Sequence, residues 1–89
     1  MASPDELADQ ILSIADASAR CAFLEARRSE LTLQAVEALK ARADESLLRD
    51  PTQSLRIAGI AQEAAALVAD ELAPAVALWA EGNAHFYRW

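Results

Sequence analysis

The fold is decided by the last third of the chain, which begins Asp50-Pro51-Thr52-Gln53-Ser54-Leu55-Arg56-Ile57-Ala58 and ends with the run Pro74 to Trp89. Asp50, Pro51 and Gln53 mark a helix start, because an Asp side chain caps backbone amides and proline suits the first helical position. Small and apolar residues then recur on most sides of this helix to about residue 70. We therefore expect this helix, the fourth, to be the central and most buried one.

A fifth helix is predicted from Pro74 to the end of the chain, with Pro74 in its first turn, where the missing amide hydrogen does no harm. Gly82 lies inside this helix, and a glycine there costs about 1 kcal/mol relative to alanine. We expect a close contact with the fourth helix, near Ala61 or Ala65, to offset that cost.

The first half of the chain predicts two or three further helices. Ser3-Pro4-Asp5-Glu6 is a capping box that begins the first helix. A break near Asp16 predicts a second helix over residues 17–28, although a single bent helix is the alternative. Thr32 is the expected cap of a third helix from residue 33 to 49. The sequence thus predicts an all-α fold of four to five antiparallel helices in a bundle.

Composition limits the chain to one small acidic domain. It has 89 residues, 54% of them hydrophobic, and a net charge of −6. This negative net charge disfavours nucleic acid as a partner, because binding to phosphates needs a basic surface. No apolar run approaches the length of a membrane span. A secretory signal is not recognisable, so the expected location is cytoplasmic. The single cysteine, Cys21, is interpreted as a small core residue.

The sequence contains no motif typical of a catalytic, metal-binding or cofactor-binding site. We therefore expect no catalytic residue, no metal site and no cofactor. Glu81 and His85 share a helix face, but His85 is the only histidine, and a metal site needs further ligands. Arg27 and Arg28, with Arg20, form the one basic patch, and neighbouring acids largely neutralise it. The sequence therefore predicts a protein that is not an enzyme.

From about residue 33 onward the chain resembles tetratricopeptide repeats, similar to those that precede bacterial caspase-like CHAT domains. The resemblance lies in the motif A-x-x-x-L…D-P…S-L-x-I-A-x-x-A and in A-x-A-L-x-A-x-G-N-A. It implies a helical hairpin over residues 33–70 and, over 74–89, the first helix of a further, truncated repeat. Residues 1–31 do not match the repeat and would form separate N-terminal helices. A non-catalytic scaffold that binds protein or peptide follows from the resemblance.

Aromatic residues are concentrated at the C-terminus and give the candidate partner-binding residues. Four of the five aromatics are Trp79, Phe86, Tyr87 and Trp89. They either fold back onto the bundle or face a partner, and the sequence favours the partner. That partner would be a helix of another protein or peptide, or a second copy in a homodimer.

The function predicted from sequence is a protein–protein interaction module that forms the N-terminal part of a larger protein. The alternative is a small helical regulatory or ligand-binding domain of a multidomain enzyme.

Overall fold

The computed structural model describes residues 3–68 and 72–88, with side chains described for 3–68 and 73–83. Five α-helices lie within those ranges, which confirms the predicted all-α class. They are α1 (Pro4–Leu12), α2 (Ala17–Ala26), α3 (Leu33–Ser46), α4 (Pro51–Ala65) and α5 (Leu72–Arg88), with a 3-10 turn at Arg28–Glu30 between α2 and α3. Within the described ranges there is no strand.

Each of the first four helices begins at a side-chain cap. The caps are Ser3, Asp16, Thr32 and Asp50, and each accepts a hydrogen bond from the backbone amide three residues later. Such a cap satisfies one of the amides that lack a partner in the first turn. Because Asp16 caps a new helix, the N-terminal segment forms two helices rather than one bent helix.

The centre of the fold is shared by α3 and α4. The helix α3 packs against α1, α4 and α5, whereas α4 packs mainly against α3 and α5. The residues that α4 buries are Ser54, Ile57, Ala58, Ile60, Ala61, Ala64 and Ala65. This agrees with a deeply buried fourth helix, although α3 occupies an equally central position.

Specific contacts fix the directions of α3, α4 and α5. The Ser54 hydroxyl donates a 2.6 Å hydrogen bond to the carbonyl of Ala43, joining α4 to α3 in an antiparallel hairpin. The Gln62 amide donates to the Glu81 carboxylate, joining α4 to an antiparallel α5. As a result, α3 and α5 run parallel to each other.

The described part of α5 packs inward mainly through alanine, and the half-buried Val76 packs against the same core. Its buried residues are Ala73, Ala77 and Ala80, each 0% exposed. On α4, Ala61 and Ala65 belong to the same apolar core as Ala73 and Ala77, whereas Ala80 lies in a smaller cluster that includes Ala58. Small side chains at such an interface let helix axes approach to the short end of the usual range, about 8 Å.

The first helix is held on α3 by apolar contacts and one ion pair. Its buried residues Leu7, Ala8 and Ile11 join the main core. Arg42 on α3 forms an ion pair with Asp9 and lowers the pKa of that carboxyl, chiefly through the hydrogen bond between them.

The second helix is mostly exposed and is held by a buried arginine. Arg20 Nε lies 2.9 Å from Glu63 Oε2 on α4, and Nη2 donates to Oε1 at 3.3 Å. Its Nη1 also donates to the carbonyl of Ile14. The prediction that Arg20 forms a basic surface patch with Arg27 and Arg28 is therefore wrong for Arg20. Its side chain is buried, and Glu63 neutralises its charge.

Two further expectations are corrected. Cys21 is exposed, not a core residue, because the inward side of α2 is formed by Arg20, Phe23 and Leu24. Gly82 is also exposed, and a Cβ placed on it would meet no atom within 4 Å. Since Gly82 follows Ala80 by two residues, it lies about 200° round the helix from the buried side and cannot approach Ala61 or Ala65.

Helix ends differ from those expected. The helix α4 ends at Ala65, short of residue 70, and α3 ends at Ser46. The turn that follows α3 leaves Leu48 exposed. The helix propensity of the residues predicts longer helices. The chain must, however, reverse direction after α3 and again after α4 to form the antiparallel pairs, and the residues in these turns leave the helix.

Replacing a large buried residue of α4 should destabilise the domain strongly. Ile60 is 2% exposed, and Ile60→Ala is expected to lower the free energy of unfolding by about 2–4 kcal/mol through lost burial and a cavity. Leu48→Ala, at a residue 83% exposed, is the control and should change it by less than about 0.5 kcal/mol. Equal losses in urea titrations of the two variants would show that α4 is not central.

Removing the exposed glycine of α5 should stabilise the protein. Gly82→Ala restricts the unfolded chain and meets no neighbour, so a gain of about 0.5–1 kcal/mol is expected. A thermal or urea melt measures it. A loss of stability would mean that a neighbour does approach Gly82.

Candidate functional site

Between residues 73 and 83, where its side chains are described, the outward face of α5 carries no charged residue. Its exposed residues are Pro74, Ala75, Leu78, Trp79 and Gly82. Leu78 is 60% and Trp79 62% exposed, the two largest apolar side chains on this face. We call these five residues the outer face of α5.

Trp79 is fixed by contacts along the α3 edge of this face. The Lys40 ammonium lies 4.1 Å from the centroid of the Trp79 ring, within cation–π range. Lys40 also forms an ion pair with Asp44. Asp44 Oδ1 in turn lies 3.5 Å from Nδ2 of Asn83, one turn along α5 from Trp79. One side of the indole is therefore held, while most of its surface remains in water.

A groove runs along the other edge, between α4 and α5. It has a volume of about 290 Å³ and is lined by Gln62, Ala65, Ala66, Pro74, Ala77 and Leu78. All but Gln62 are apolar. We call this the α4–α5 groove. Its volume falls just below the roughly 300–1,000 Å³ typical of small-molecule sites, which suits a single large side chain better than a whole ligand.

A second, smaller groove of about 260 Å³ lies between α2 and α4. Its lining residues are Cys21, Leu24, Glu25, Glu63 and Leu67. This groove therefore offers a ligand less apolar surface than the α4–α5 groove does. Its Glu63 carboxylate is already occupied by the ion pair with Arg20.

The predicted binding residues are placed only in part. Trp79 is exposed on the outer face of α5, as required of a binding residue. The side chains of Phe86 and Tyr87, and Trp89 as a whole, lie outside the described residues, so their part in the site stays a prediction.

Leu78 and the α4–α5 groove were missed from the sequence. The signal that could have found Leu78 is the alanine spacing at 73, 77 and 80, which marks the inner side of α5 and leaves position 78 outside.

Among the described residues, no group of three or more His, Cys, Asp or Glu could hold a metal ion. Glu81 accepts a hydrogen bond from Gln62, while the side chain of His85, four residues later, lies outside the described residues. None of the helices in the described ranges is both long and apolar enough to cross a membrane.

Comparisons with protein-family models, curated proteins and solved structures gave no match to this chain. The tetratricopeptide resemblance therefore stays a prediction, and the functional argument rests on the residues themselves.

Proposed function

We propose that this chain is a non-catalytic protein–protein interaction module, whose binding surface is the outer face of α5 together with the α4–α5 groove. The observation that carries the proposal is the exposure of Leu78 and Trp79 side by side on a helix face without charged residues. Contiguous apolar surface rimmed by polar residues is typical of partner-binding sites on small soluble domains.

The composition of this surface supports binding to protein. Tryptophan is among the residues that contribute most when buried at the centre of an interface. Charged residues are depleted in interface centres, as they are on this face. The contact of Lys40 with the Trp79 ring restricts the indole before binding, which lowers the entropy lost when a partner covers it.

The order and directions of the helices support the proposal that this module is a scaffold of tetratricopeptide-like repeats. The antiparallel pair α3 and α4 would form one tetratricopeptide-like hairpin, and α5 would be the first helix of the next. In a stacked array of hairpins, a following helix covers the outer side of such a helix. The outer face of α5 would then be the surface through which the module meets another helix, in this protein or in a partner.

Site-specific photo-crosslinking tests the proposal. A photoreactive phenylalanine analogue would replace Leu78 in one variant of the full chain and the exposed Thr52 of α4 in a control variant. Irradiation in the cells of origin should give a discrete crosslinked species from position 78 only, because position 52 lies away from the outer face of α5. Mass spectrometry identifies the species, and the purified partner should lose affinity at least about tenfold for Leu78→Asp, as for a central interface residue.

Two results would contradict the proposal. One is crosslinking at position 78 that is no stronger or more discrete than at position 52. The other is unchanged affinity of the identified partner for Leu78→Asp. Light scattering over a hundredfold range of protein concentration decides whether the crosslinked species is a second copy of the chain.

A further inference from the structure

The second helix is held on the bundle by fewer side chains than the helices of the centre. It buries Arg20 and Leu24, its Phe23 is half-buried, and every other residue of α2 is exposed. In α4, by contrast, only Thr52 and Arg56 are exposed. The main backbone contact of α2 is with α1, whereas α3, α4 and α5 all pack against one another.

One ion pair ties α2 to α4. Arg20 Nε lies 2.9 Å from Glu63 Oε2, and the side chains are 9% and 39% exposed, so water reaches the carboxylate but hardly the guanidinium. The further hydrogen bond of the guanidinium goes to the carbonyl of Ile14, in the segment that precedes α2. Glu63 is therefore the partner through which Arg20 fixes α2 to another helix.

This ion pair decides how firmly α2 is attached. With Glu63 in place, the attached helix buries an arginine whose charge is compensated. Without that carboxylate, attachment would leave a buried guanidinium charge unpaired, whereas water solvates the same group once α2 is released. The ion pair therefore favours the attached state, and its loss favours release.

A released α2 would also lose its helical structure. It has ten residues, fewer than the roughly 12–15 that an isolated helix needs in water. Segments 13–16 and 27–32, which lie outside the α-helices, separate it from α1 and α3. Unfolding of α2 therefore does not require either neighbouring helix to unfold, and it would open the α2 amides to exchange with solvent.

We propose that α2 is a releasable cover on the side of α4 that bears Glu63 and Leu67, and that the ion pair of Arg20 with Glu63 is its latch. In the released state α2 is unfolded while the other four helices stay folded. Release uncovers Glu63 and Leu67, since both line the groove between α2 and α4. The outer face of α5 and the α4–α5 groove contain no residue of α2, so this inference does not depend on the proposed function.

Native-state hydrogen exchange of the full chain, read by NMR at each backbone amide, tests for independent release. Under conditions where exchange reports the opening equilibrium, amides 21–26 of α2 should exchange at least about tenfold faster than amides 57–61 of α4, after correction for intrinsic rates. Low concentrations of urea should accelerate amides 57–61 more steeply, because global unfolding exposes more surface than release of α2 does.

A substitution away from α2 separates release from global unfolding. Ser54→Ala removes the hydrogen bond to the Ala43 carbonyl, which joins α3 to α4 and is kept when α2 is released. It therefore destabilises the attached and released states equally. Amides 57–61 should exchange about threefold faster or more, while amides 21–26 keep their rate.

A matched pair of substitutions tests the latch. Glu63→Gln removes the charge that compensates Arg20, so amides 21–26 should exchange roughly tenfold faster. Amides of α4 should accelerate by a similar factor, because the attached state is the reference for both openings. Glu25→Gln, the control, removes the same charge beside the same groove, but Glu25 pairs with Arg28 at the surface. It should change the rates at 21–26 by less than about twofold.

Three results would overturn the proposal, and the first needs no variant. One is exchange of amides 21–26 and 57–61 at equal rates with equal urea dependence, which would mean that α2 unfolds only with the whole domain. Acceleration of both sets of amides by Ser54→Ala would mean the same. An effect of Glu63→Gln on amides 21–26 no larger than that of Glu25→Gln would show that the ion pair is not the latch.

Discussion

The contact of α5 with the rest of the bundle through Ala73, Ala77 and Ala80 is the constraint on which the structure depends. The fully buried side chains of the described part of α5 are all small, and its two largest apolar side chains, Leu78 and Trp79, lie on the opposite side of the helix. The feature proposed as the binding surface is therefore a result of how α5 is packed. The same packing places the α4–α5 groove beside Leu78.

A core rich in alanine stabilises a domain less than one rich in leucine, because each alanine removes little apolar surface from water. In a chain of this size, other contacts must then fix the helices in place. The hydrogen bond from Ser54 to the Ala43 carbonyl joins α3 to α4, and the ion pair of Arg20 with Glu63 holds α2 on α4. Burying Arg20 is tolerated because Glu63 and the Ile14 carbonyl satisfy its guanidinium.

The starts of the first four helices could be read from sequence, since capping depends on residues within one turn of each other, whereas α5 begins at Leu72 rather than at the predicted Pro74. Ser3, Thr32 and Asp50 were recognised as caps, and the break at Asp16 was placed correctly. The orientation of α5 could not be read in the same way. Both its alanines and its large apolar residues recur at helical spacing, and only the packing against α3 and α4 decides which set faces inward. The misplacement of Gly82 and the omission of Leu78 both follow from that ambiguity. Cys21 was misplaced because the inward side of α2 is formed by Arg20, Phe23 and Leu24.

The most direct test of this account compares two single substitutions in α5. Ala77 is 0% exposed at the helix interface, and Ala75, two residues earlier, is exposed on the outer face. Ala77→Leu should lower the free energy of unfolding by about 1–3 kcal/mol, because extra volume forces the helices apart. Ala75→Leu should change it by less than about 0.5 kcal/mol in the same urea titration. Equal effects, or a larger loss for Ala75→Leu, would contradict inward packing through alanine and with it the placement of Leu78 and Trp79 on the surface.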